Sequence, residues 1–308
     1  MQHNNLPIFR RVIRKILLIT APFWRDESFL KLYYWAYMGK CLNLRNPQTF
    51  TEKIQWLKLH HSRDALFTTM VDKYAVKKYV SNIIGDKYII PTLGVWNTPE
   101  EIEFDKLPNK FVLKVTHDSG GISICRDKNT FDKNKAIKKL KHALNRDFYN
   151  VTREWPYKNV PRRIIAETYI EDSVVSNSEY LTDYKFYCFN GKPTYCQVIR
   201  DRGSNETIDF YDMQWNHMPF VGLNKFTSNG LTPVEKPAKL DEMIMIAEKL
   251  SEGILFSRID VYAVNQKVYF GEITLFPASG VGSFSPSEWD KKLGDLIQLH
   301  QDSNQGKE

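Results

Sequence analysis

The spacing of apolar residues divides the chain into a helical first third and a strand-rich remainder. Thr49 and Glu52 resemble a helix capping box, and apolar residues at helical spacing predict a further helix over Leu66–Val80. From Phe111 onward, short runs predict strands: KFVLKV, ISIC, RIIAETYI and YKFYCFNGKPTYCQVI. Later helices are predicted over residues 134–148, 238–254 and 287–300. This order indicates an α+β protein built on antiparallel sheets.

A pair of acidic residues interrupts the apolar pattern near the C-terminal end. Residues 257–277 (SRIDVYAVNQKVYFGEITLFP) predict a hairpin, with Asp260 and Glu272 among apolar neighbours. Because side chains alternate along a strand, the length of the turn decides whether the two acids share a face. A two-residue turn puts them on opposite faces, whereas a three-residue loop over 265–267 sets them directly opposite each other.

The three-residue loop also sorts the remaining side chains of the hairpin. It pairs Tyr262 with Phe270 and Arg258 with Thr274. The other face then holds Ile259, Val261, Ala263, Tyr269, Gly271 and Ile273. Because this face is nearly all apolar, we predict the odd-length loop.

Two carboxylates that face each other across a ladder repel, and both lose solvation if they are covered. A Mg²⁺ ion compensates for both effects, because it prefers hard oxygen ligands and keeps phosphate oxygens as further ligands. Asp260 and Glu272 are therefore candidate metal ligands. The alternative is a solvated strand face on which Arg258 neutralises one of the acids.

A lysine and a glycine loop follow one another in the stretch KFVLKVTHDSGGISIC. Lys114 lies in the first strand, and Ser119, Gly120 and Gly121 form the loop that follows. Glycines let backbone N–H groups approach phosphate oxygens, and a lysine adds a point charge there. The strand–loop–strand order differs from a Walker loop, and an ordinary hairpin with a solvated lysine is the alternative.

Composition excludes several classes of protein. The 308 residues are 42% hydrophobic and 13% aromatic, which is enough to bury a core. Four scattered cysteines form no CxxC pair, which favours a reducing cytoplasm over a disulfide scaffold or a zinc site. The net charge of +7 is concentrated, since residues 1–40 carry +5 and the other 268 residues carry +2. Because that larger part is nearly neutral, we do not expect nucleic acid as a partner.

The basic N-terminal segment predicts an amphipathic helix. Apolar residues at helical spacing alternate there with Arg10, Arg11, Arg14 and Lys15. The apolar run Ile16–Trp24 is shorter than the roughly 20 residues that span a bilayer, and it lacks a convincing signal-peptide cleavage site. Residues 8–24 either lie on an anionic membrane surface, giving a cytoplasmic protein at the membrane periphery, or pack on the body with a solvated basic face.

Taken together, these motifs resemble an ATP-grasp enzyme from Asp72-Lys73 to Pro277–Gly280. The resemblance matches Lys73 to the lysine on a helix ahead of the first ATP strand, and Lys114 with HDSGG to the lysine and lid loop. It matches ETYI to the hinge that holds adenine, and the two hairpin acids to the metal ligands. Thr274 departs from the asparagine usual in the family.

Within that superfamily the chain resembles the TupA-like group, named for teichuronopeptide biosynthesis. The stretches that carry this resemblance are NPQTFTEKIQWLKLHH, DYKFYCFNGKP, DFYDMQW and YFGEITLFPASG. The resemblance implies an amide-forming ligase that joins a surface-polysaccharide precursor or sugar to an amine or amino-acid donor through an acyl phosphate. A sugar kinase on the same fold and a glycosyltransferase of surface polysaccharide are the alternatives.

The resemblance also implies ATP and Mg²⁺ as cofactors. ATP is expected at Lys73, Lys114, His117, Ser119, Gly120, Gly121, Glu167, Tyr169, Ile170, Asp183 and Lys185. The metal is expected at Asp260, Glu272 and Thr274. Catalytic roles are expected for Arg258, Lys185 and Arg202, and substrate contacts for Arg200, Arg202 and Asp212. Surface ion pairs are the alternative for Asp183, Lys185 and the two arginines of the substrate set.

The expected organisation has three parts. Residues 1–65 form a helical N-terminal region. Residues 66–168 form the first part of the ATP-grasp fold with its lid, and residues 169–308 form the second part with the metal-binding hairpin.

Overall fold

The computed structural model describes residues 7–118, 120–171, 181–200, 206–223 and 228–299. The helices in these ranges are α1 (Ile8–Ile19), α2 (Asp26–Met38), α3 (Phe50–His60), α4 (Ala65–Val71), α5 (Ala75–Ile84), α6 (Lys133–Leu144), α7 (Phe148–Thr152), α8 (Leu240–Ser251) and α9 (Glu288–Asp295). The strands are β1 (Thr92–Trp96), β2 (Phe111–Val115), β3 (Ile122–Cys125), β4 (Ile164–Thr168), β5 (Asp183–Phe189), β6 (Lys192–Arg200), β7 (Thr207–Asp212), β8 (Val221–Gly222), β9 (Phe256–Val264), β10 (Lys267–Thr274) and β11 (Phe284–Ser285).

Two antiparallel sheets dominate the structure. The four-stranded sheet has the order β1-β4-β2-β3, and the five-stranded sheet has the order β10-β9-β5-β6-β7. Strands β8 and β11 form a small antiparallel pair. The predicted α+β class with antiparallel sheets is confirmed, whereas the division into three parts at residues 65 and 168 stays a prediction.

Helices pack on both faces of the five-stranded sheet, and α6 packs on the four-stranded sheet. A core of buried apolar side chains joins the five-stranded sheet to α3, α5, α8 and α9. A smaller core joins the four-stranded sheet to α6. Phe50 of α3 packs on Tyr187 and Phe256, on the face that also carries Lys185 and Asp260, whereas α8 contacts Cys188 on the other face. The charged residues of the first face line the cleft that holds the candidate site.

The helix predicted over Leu66–Val80 is two helices, α4 and α5, with a break at Asp72–Tyr74. The Asp72 carboxylate accepts hydrogen bonds from the backbone N–H groups of Tyr74 at 2.8 Å and Ala75 at 3.2 Å. An aspartate that bonds its own backbone in this way starts a new helix and does not continue the old one. The break places Lys73 between two helices, not within one as predicted.

Helix α1 turns its apolar face towards solvent. It packs on α2 through Leu17, which is 1% exposed, while Ile8 and Ile19 are 78% and 79% exposed. Helix α1 thus packs on the body through part of its surface, as one alternative expects, and contact of its exposed face with a membrane stays a prediction. Among the residues that the structure describes, every helix is too short or too polar to cross a membrane.

Candidate active site

Asp260 and Glu272 face each other across β9 and β10, as the sequence predicts. The turn between the strands has two residues, Asn265 at φ 51° and Gln266 at φ 63°, and not the predicted three. The register then shifts by one residue at Gly271, a β-bulge that brings Glu272 opposite Asp260. A Cβ at position 271 would lie 3.0 Å from the Asp260 carbonyl oxygen, so glycine permits this close approach.

The bulge divides the hairpin into a part that the sequence predicts wrongly and a part that it predicts correctly. Between the turn and the bulge, Tyr262 pairs with Tyr269 and not with Phe270. Beyond the bulge, Arg258 pairs with Thr274, as expected. The error in turn length is cancelled by the extra residue of the bulge, so the residues of the site still share one face.

A row of charged residues crosses three strands of the five-stranded sheet. Lys185 on β5 lies opposite Asp260 on β9, and Asp260 lies opposite Glu272 on β10. The Lys185 ammonium contacts the Asp260 carboxylate and lies 3.6 Å from an oxygen of Asp183. Asp260 is 2% exposed, whereas the side chain of Glu272 is 41% exposed and reaches into the cleft.

Arg258 joins the two acids. Its Nε and Nη2 donate to the two Asp260 oxygens at 2.6 and 2.7 Å, in a bidentate pair. Its Nη2 also lies 3.1 Å from Glu272 Oε1 and 3.0 Å from Thr274 Oγ1. The protein's own cations therefore compensate the facing carboxylates, and their repulsion alone does not call for a metal ion.

The pKa values of the two acids shift in opposite directions. Burial raises the pKa of Asp260, and Arg258 and Lys185 offset that effect only in part. Burial acts in the same direction on Glu272, but the neighbouring cations, Lys73 foremost, outweigh it and lower its pKa to about 2. Glu272 is therefore ionised at any physiological pH and is the acid better placed to bind a cation.

A second cluster of charge lies on the four-stranded sheet. Glu167 on β4 pairs with Lys114 on β2 and Lys77 on α5, each at 2.5 Å. Burial raises the pKa of Glu167, but the two lysines outweigh it and the net shift is downward. Burial lowers the pKa of Lys77. Sequence reasoning missed Lys77, although it lies one helical turn after Lys73.

Lys73 connects the break between α4 and α5 to the lid loop. Its ammonium donates to the carbonyl oxygen of Asp118 at 2.8 Å, and its backbone N–H donates to Thr116 O at 3.2 Å. Burial lowers the pKa of Lys73, and Glu272 opposes that shift. The lysine is thus held between the lid loop and the exposed acid of the hairpin.

The two lid glycines differ in their surroundings. A Cβ on Gly121 would lie 2.5 Å from Val115 Cγ2 and 2.6 Å from Ala143 Cβ, whereas a Cβ on Gly120 would meet nothing closer than 3.9 Å. Close packing against β2 and α6 therefore requires glycine at position 121. Position 120 carries no such constraint.

Both charged clusters line one cleft between the sheets, with a volume of about 400 Å³. We call it the inner cleft; its charged lining residues are Lys73, Lys77, Lys114, Glu167, Asp183, Lys185, Glu206, Arg258, Asp260 and Glu272. An adjoining cavity of about 760 Å³, the outer cleft, is lined by Tyr169 and Ile170 of the predicted hinge. Lys114, Glu167 and Asp183 line both, so the two spaces adjoin.

Six of the predicted residues that the structure describes line neither cleft: Gly120, Gly121, Thr274, His117, Arg200 and Asp212. The last three of these make other contacts. The buried ring of His117 has its Nε2 3.2 Å from Arg146 O, and burial lowers its pKa. Arg200 donates to Asp209 at 3.2 Å and to Thr232 O at 2.9 Å, and this ion pair is the alternative to a substrate contact. The roles assigned to these two residues lack support from their positions.

The third of these residues, Asp212, closes a turn. Its carboxylate accepts from the backbone N–H groups of Gln214 at 2.9 Å and Asn216 at 2.8 Å. Its pKa is lowered because these and other hydrogen bonds outweigh partial burial. A structural role accounts for Asp212, whereas Ser119 and Arg202 lie outside the described residues.

The donor set fits a Mg²⁺ ion bound chiefly through Glu272. Mg²⁺ binds proteins through one or two carboxylates and takes its remaining ligands from phosphate and water. Glu272 is ionised and half-exposed, and Thr274 Oγ1 lies 3.2 Å from its Oε1. Asp260 is occupied by Arg258 and would have to exchange that partner to bind a metal ion. Within the described ranges, the structure contains no group of three acidic, histidine or cysteine ligands.

The chain is similar to several known proteins. The family model described as TupA-like ATPgrasp matches residues 52–298. No curated protein matches the chain. Two solved structures similar to it are D-alanine–D-alanine ligases. The Bacillus anthracis enzyme complexed with ATP is 18% identical over 76% of this chain and 64% of that chain, with a TM-score of 0.43. The Helicobacter pylori enzyme is 13% identical over 82% and 70%, with a TM-score of 0.43.

A RimK domain ATP-grasp protein from Sphaerobacter thermophilus is 11% identical over 76% of this chain and 69% of that chain, with a TM-score of 0.41. The chain spans less than two thirds of the length of the Bacillus anthracis enzyme. Similarities as distant as these say nothing about the activity of this chain.

Proposed function

Since this chain belongs to the TupA-like ATP-grasp family, we propose that it is an ATP- and Mg²⁺-dependent ligase that joins a carboxylate to an amine. One observation supports the proposal most directly: the lysines of β2, of α5 and of the break before α5 line the same cleft as the acid–arginine cluster of the five-stranded sheet. A polyphosphate needs several cations, and a phosphoryl transfer needs them to be held in place beforehand.

The lysines form the phosphate-binding part of the proposed site. Lys73 and Lys114 hold phosphate oxygens, and Lys77 shares Glu167 with Lys114 at 2.5 Å. Glu167 fixes the direction of both lysines before a ligand arrives, which reduces the ordering that binding would otherwise require. The hinge residues Tyr169 and Ile170, which line the outer cleft, provide the place for the adenine base.

When bound, ATP and Mg²⁺ would supply a phosphoryl group that activates a substrate carboxylate as an acyl phosphate, from which an amine displaces phosphate. Arg258 stabilises the charge that develops at the reacting carboxyl group, while Asp260 keeps the guanidinium in place. Lys185 holds Asp260 from the other side. Glu272, with Thr274 beside it, would hold the metal through oxygen atoms.

We propose a sugar polymer or its precursor as the substrate class. One support is the chain's membership of a family named for teichuronopeptide biosynthesis. The other is the set of residues that line the far end of the inner cleft. That end combines polar Gln197 and Glu206 with apolar Ile199, Ile208 and Leu223. Mixed walls of this kind suit a sugar, which offers both hydroxyl groups and apolar ring faces.

Binding is tested by thermal shift with ATP–Mg²⁺ and with UDP-glucose. A ligand at 100 times its Kd stabilises by about 2.7 kcal/mol, so ATP–Mg²⁺ should raise Tm and UDP-glucose should not. Lys114→Met should abolish most of the shift. Lys110→Met, on the same stretch of chain but paired at the surface with Glu171, should leave it intact. A shift with UDP-glucose alone would favour a glycosyltransferase.

The reaction is tested by product analysis with candidate sugar carboxylates and amines. A ligase releases ADP and phosphate only when an amine is present, whereas a kinase leaves a stable sugar phosphate. Glu272→Gln should reduce turnover by at least about 100-fold, because it removes the ionised metal ligand. Glu288→Gln on the surface of α9 is the matched control. Unchanged turnover in a folded Glu272→Gln variant would overturn the role of Glu272.

A further inference from the structure

An apolar ridge runs along the outside of the N-terminal region. Ile8, Val12, Ile16 and Ile19 lie on one face of α1 and are between 50% and 79% exposed. Phe23 extends this face beyond the helix and is 90% exposed. We call these five residues the apolar ridge. A contiguous exposed apolar surface of this kind marks a contact site, since single exposed apolar residues are ordinary but aligned ones are not.

Contacts with α2 fix the direction in which the ridge points. Leu17, on the opposite side of α1, is 1% exposed in the core with α2. The guanidinium of Arg14 lies over the ring of Tyr37 at 5.1 Å, and the guanidinium of Arg10 packs against Gly39. Leu18 also packs against this core, and the ring of Phe9 lies 6.1 Å from that of Trp35. Rotating the helix to bury the ridge would break these contacts.

Positive charge borders the ridge. Arg11 and Lys15 are exposed and lie along one edge of the apolar face, and α1 contains no acidic residue. The two acids among residues 1–40 are both paired, Asp26 with Arg153 at 3.2 Å and Glu27 with Lys31 at 2.7 Å. The surface that surrounds the ridge is therefore cationic.

We propose that the apolar ridge, with Arg11 and Lys15, docks the protein on an anionic lipid bilayer. The ridge is convex and belongs to a single helix, so its apolar side chains can enter the headgroup boundary while the cations meet lipid phosphates. Trp24 at its end is a residue type that favours the membrane–water interface. The docking is independent of the activity proposed above, since α1 contributes no residue to either cleft.

The test is co-sedimentation of the full chain with vesicles. Vesicles of phosphatidylcholine with phosphatidylglycerol should carry the protein down, and vesicles of phosphatidylcholine alone should bind it much more weakly. Because each basic residue contributes about a fivefold gain in affinity near an anionic surface, the Arg11→Gln/Lys15→Gln variant should bind roughly 25-fold more weakly. Raising the salt concentration should weaken binding of the wild-type chain in the same direction.

Two variants distinguish binding through the apolar ridge from nonspecific hydrophobic binding. Val12→Glu/Ile16→Glu should abolish sedimentation, whereas Leu231→Glu, at a fully exposed leucine elsewhere, should leave it unchanged. Both substitutions of the first variant lie at exposed positions, so circular dichroism and the ATP–Mg²⁺ thermal shift should match the wild-type chain.

Three outcomes would overturn the proposal. The first is failure of the wild-type chain to sediment with anionic vesicles. The second is sedimentation that the ridge variant leaves unchanged. The third is a concentration-dependent dimer in analytical ultracentrifugation that Val12→Glu/Ile16→Glu dissociates while vesicle binding is absent, since the ridge would then contact a second copy of the chain.

Discussion

Replacing Arg258 tests whether the facing carboxylates depend on the protein's own cations. Its guanidinium makes two hydrogen bonds to Asp260 and one each to Glu272 and Thr274. Removing one partner of a buried pair costs about 3–5 kcal/mol. Because Lys185 still contacts Asp260, we expect Arg258→Met to lower the free energy of unfolding by about 3 kcal/mol, the lower end of that range.

The second part of this prediction concerns pH. Without Arg258 the pKa of Asp260 rises further above its value in the unfolded chain, so the folded variant binds a proton more readily than the unfolded one. The folded state is then stabilised as the pH falls through the raised pKa. The deficit of Arg258→Met relative to the wild-type chain should therefore be smaller at about pH 5 than at about pH 8.

Chemical denaturation at the two pH values measures both effects. Arg258→Met/Asp260→Asn should cost only about 1–2 kcal/mol, because no carboxylate is left uncompensated at position 260 and Lys185 keeps Asp183 at 3.6 Å as its charge partner. Arg162→Met, at a half-exposed arginine, is the control and should change stability by less than about 0.5 kcal/mol. A single variant as stable as the wild-type chain, or a double variant no more stable than the single one, would refute the reasoning.

The remaining predictions concern the lid, the metal and a buried lysine. Gly121→Ala should destabilise the protein by about 1–3 kcal/mol through overpacking, whereas Gly120→Ala should be nearly neutral. The Tm of each variant measures the effect, and equal changes in Tm would contradict the packing argument. EDTA should leave the Tm of the nucleotide-free protein unchanged, because the hairpin acids are already compensated by protein cations; a clear fall would indicate a structural metal. Burial lowers the pKa of Lys58 to about 8, so the unfolded chain binds more protons between about pH 8 and pH 10.5 and stability should rise with pH in that window. Lys58→Met should lose this rise in pH-dependent denaturation, and a rise that persists would assign it to another group.

Sequence patterns predicted the parts of the site that depend on strand alternation. Lys114 and Glu167 lie on strands whose apolar runs are unambiguous, and the structure brings them together. The opposition of Asp260 and Glu272 was also predicted, but the segregation argument placed Tyr269 on the wrong face. The prediction holds because the bulge cancels the error in turn length.

Features set by local hydrogen bonding were not predictable in the same way. The Asn265-Gln266 turn requires two positive φ angles, and glutamine is not a residue that signals them. The carboxylate of Asp72 ends one helix and starts another through two backbone bonds, in a stretch whose apolar spacing continues across the break. Helical spacing cannot reveal such an interruption, because it records faces and not the hydrogen bonds between turns.

The sequence also did not predict the contacts that a side chain or helix makes in the folded protein. Asp212 looked available for a substrate because the pattern does not show that its oxygens are already occupied by a turn. The amphipathic pattern of α1 identified which residues share a face, but the direction of that face is set by contacts with α2. A pattern of this kind shows which residues of a helix share a face, but not what that face packs against.

The bulge at Gly271 has a consequence for comparing this chain with its relatives. An even-length turn plus one extra strand residue produces the same opposition of acids as an odd-length turn with a regular strand. A relative that lacks the extra residue can keep its pair of acids only by gaining one in the turn. Insertions and deletions in this hairpin should therefore occur as compensating pairs, one in the turn and one in the strand. An alignment with a gap in only one of these places would match Glu272 to the wrong residue of the relative.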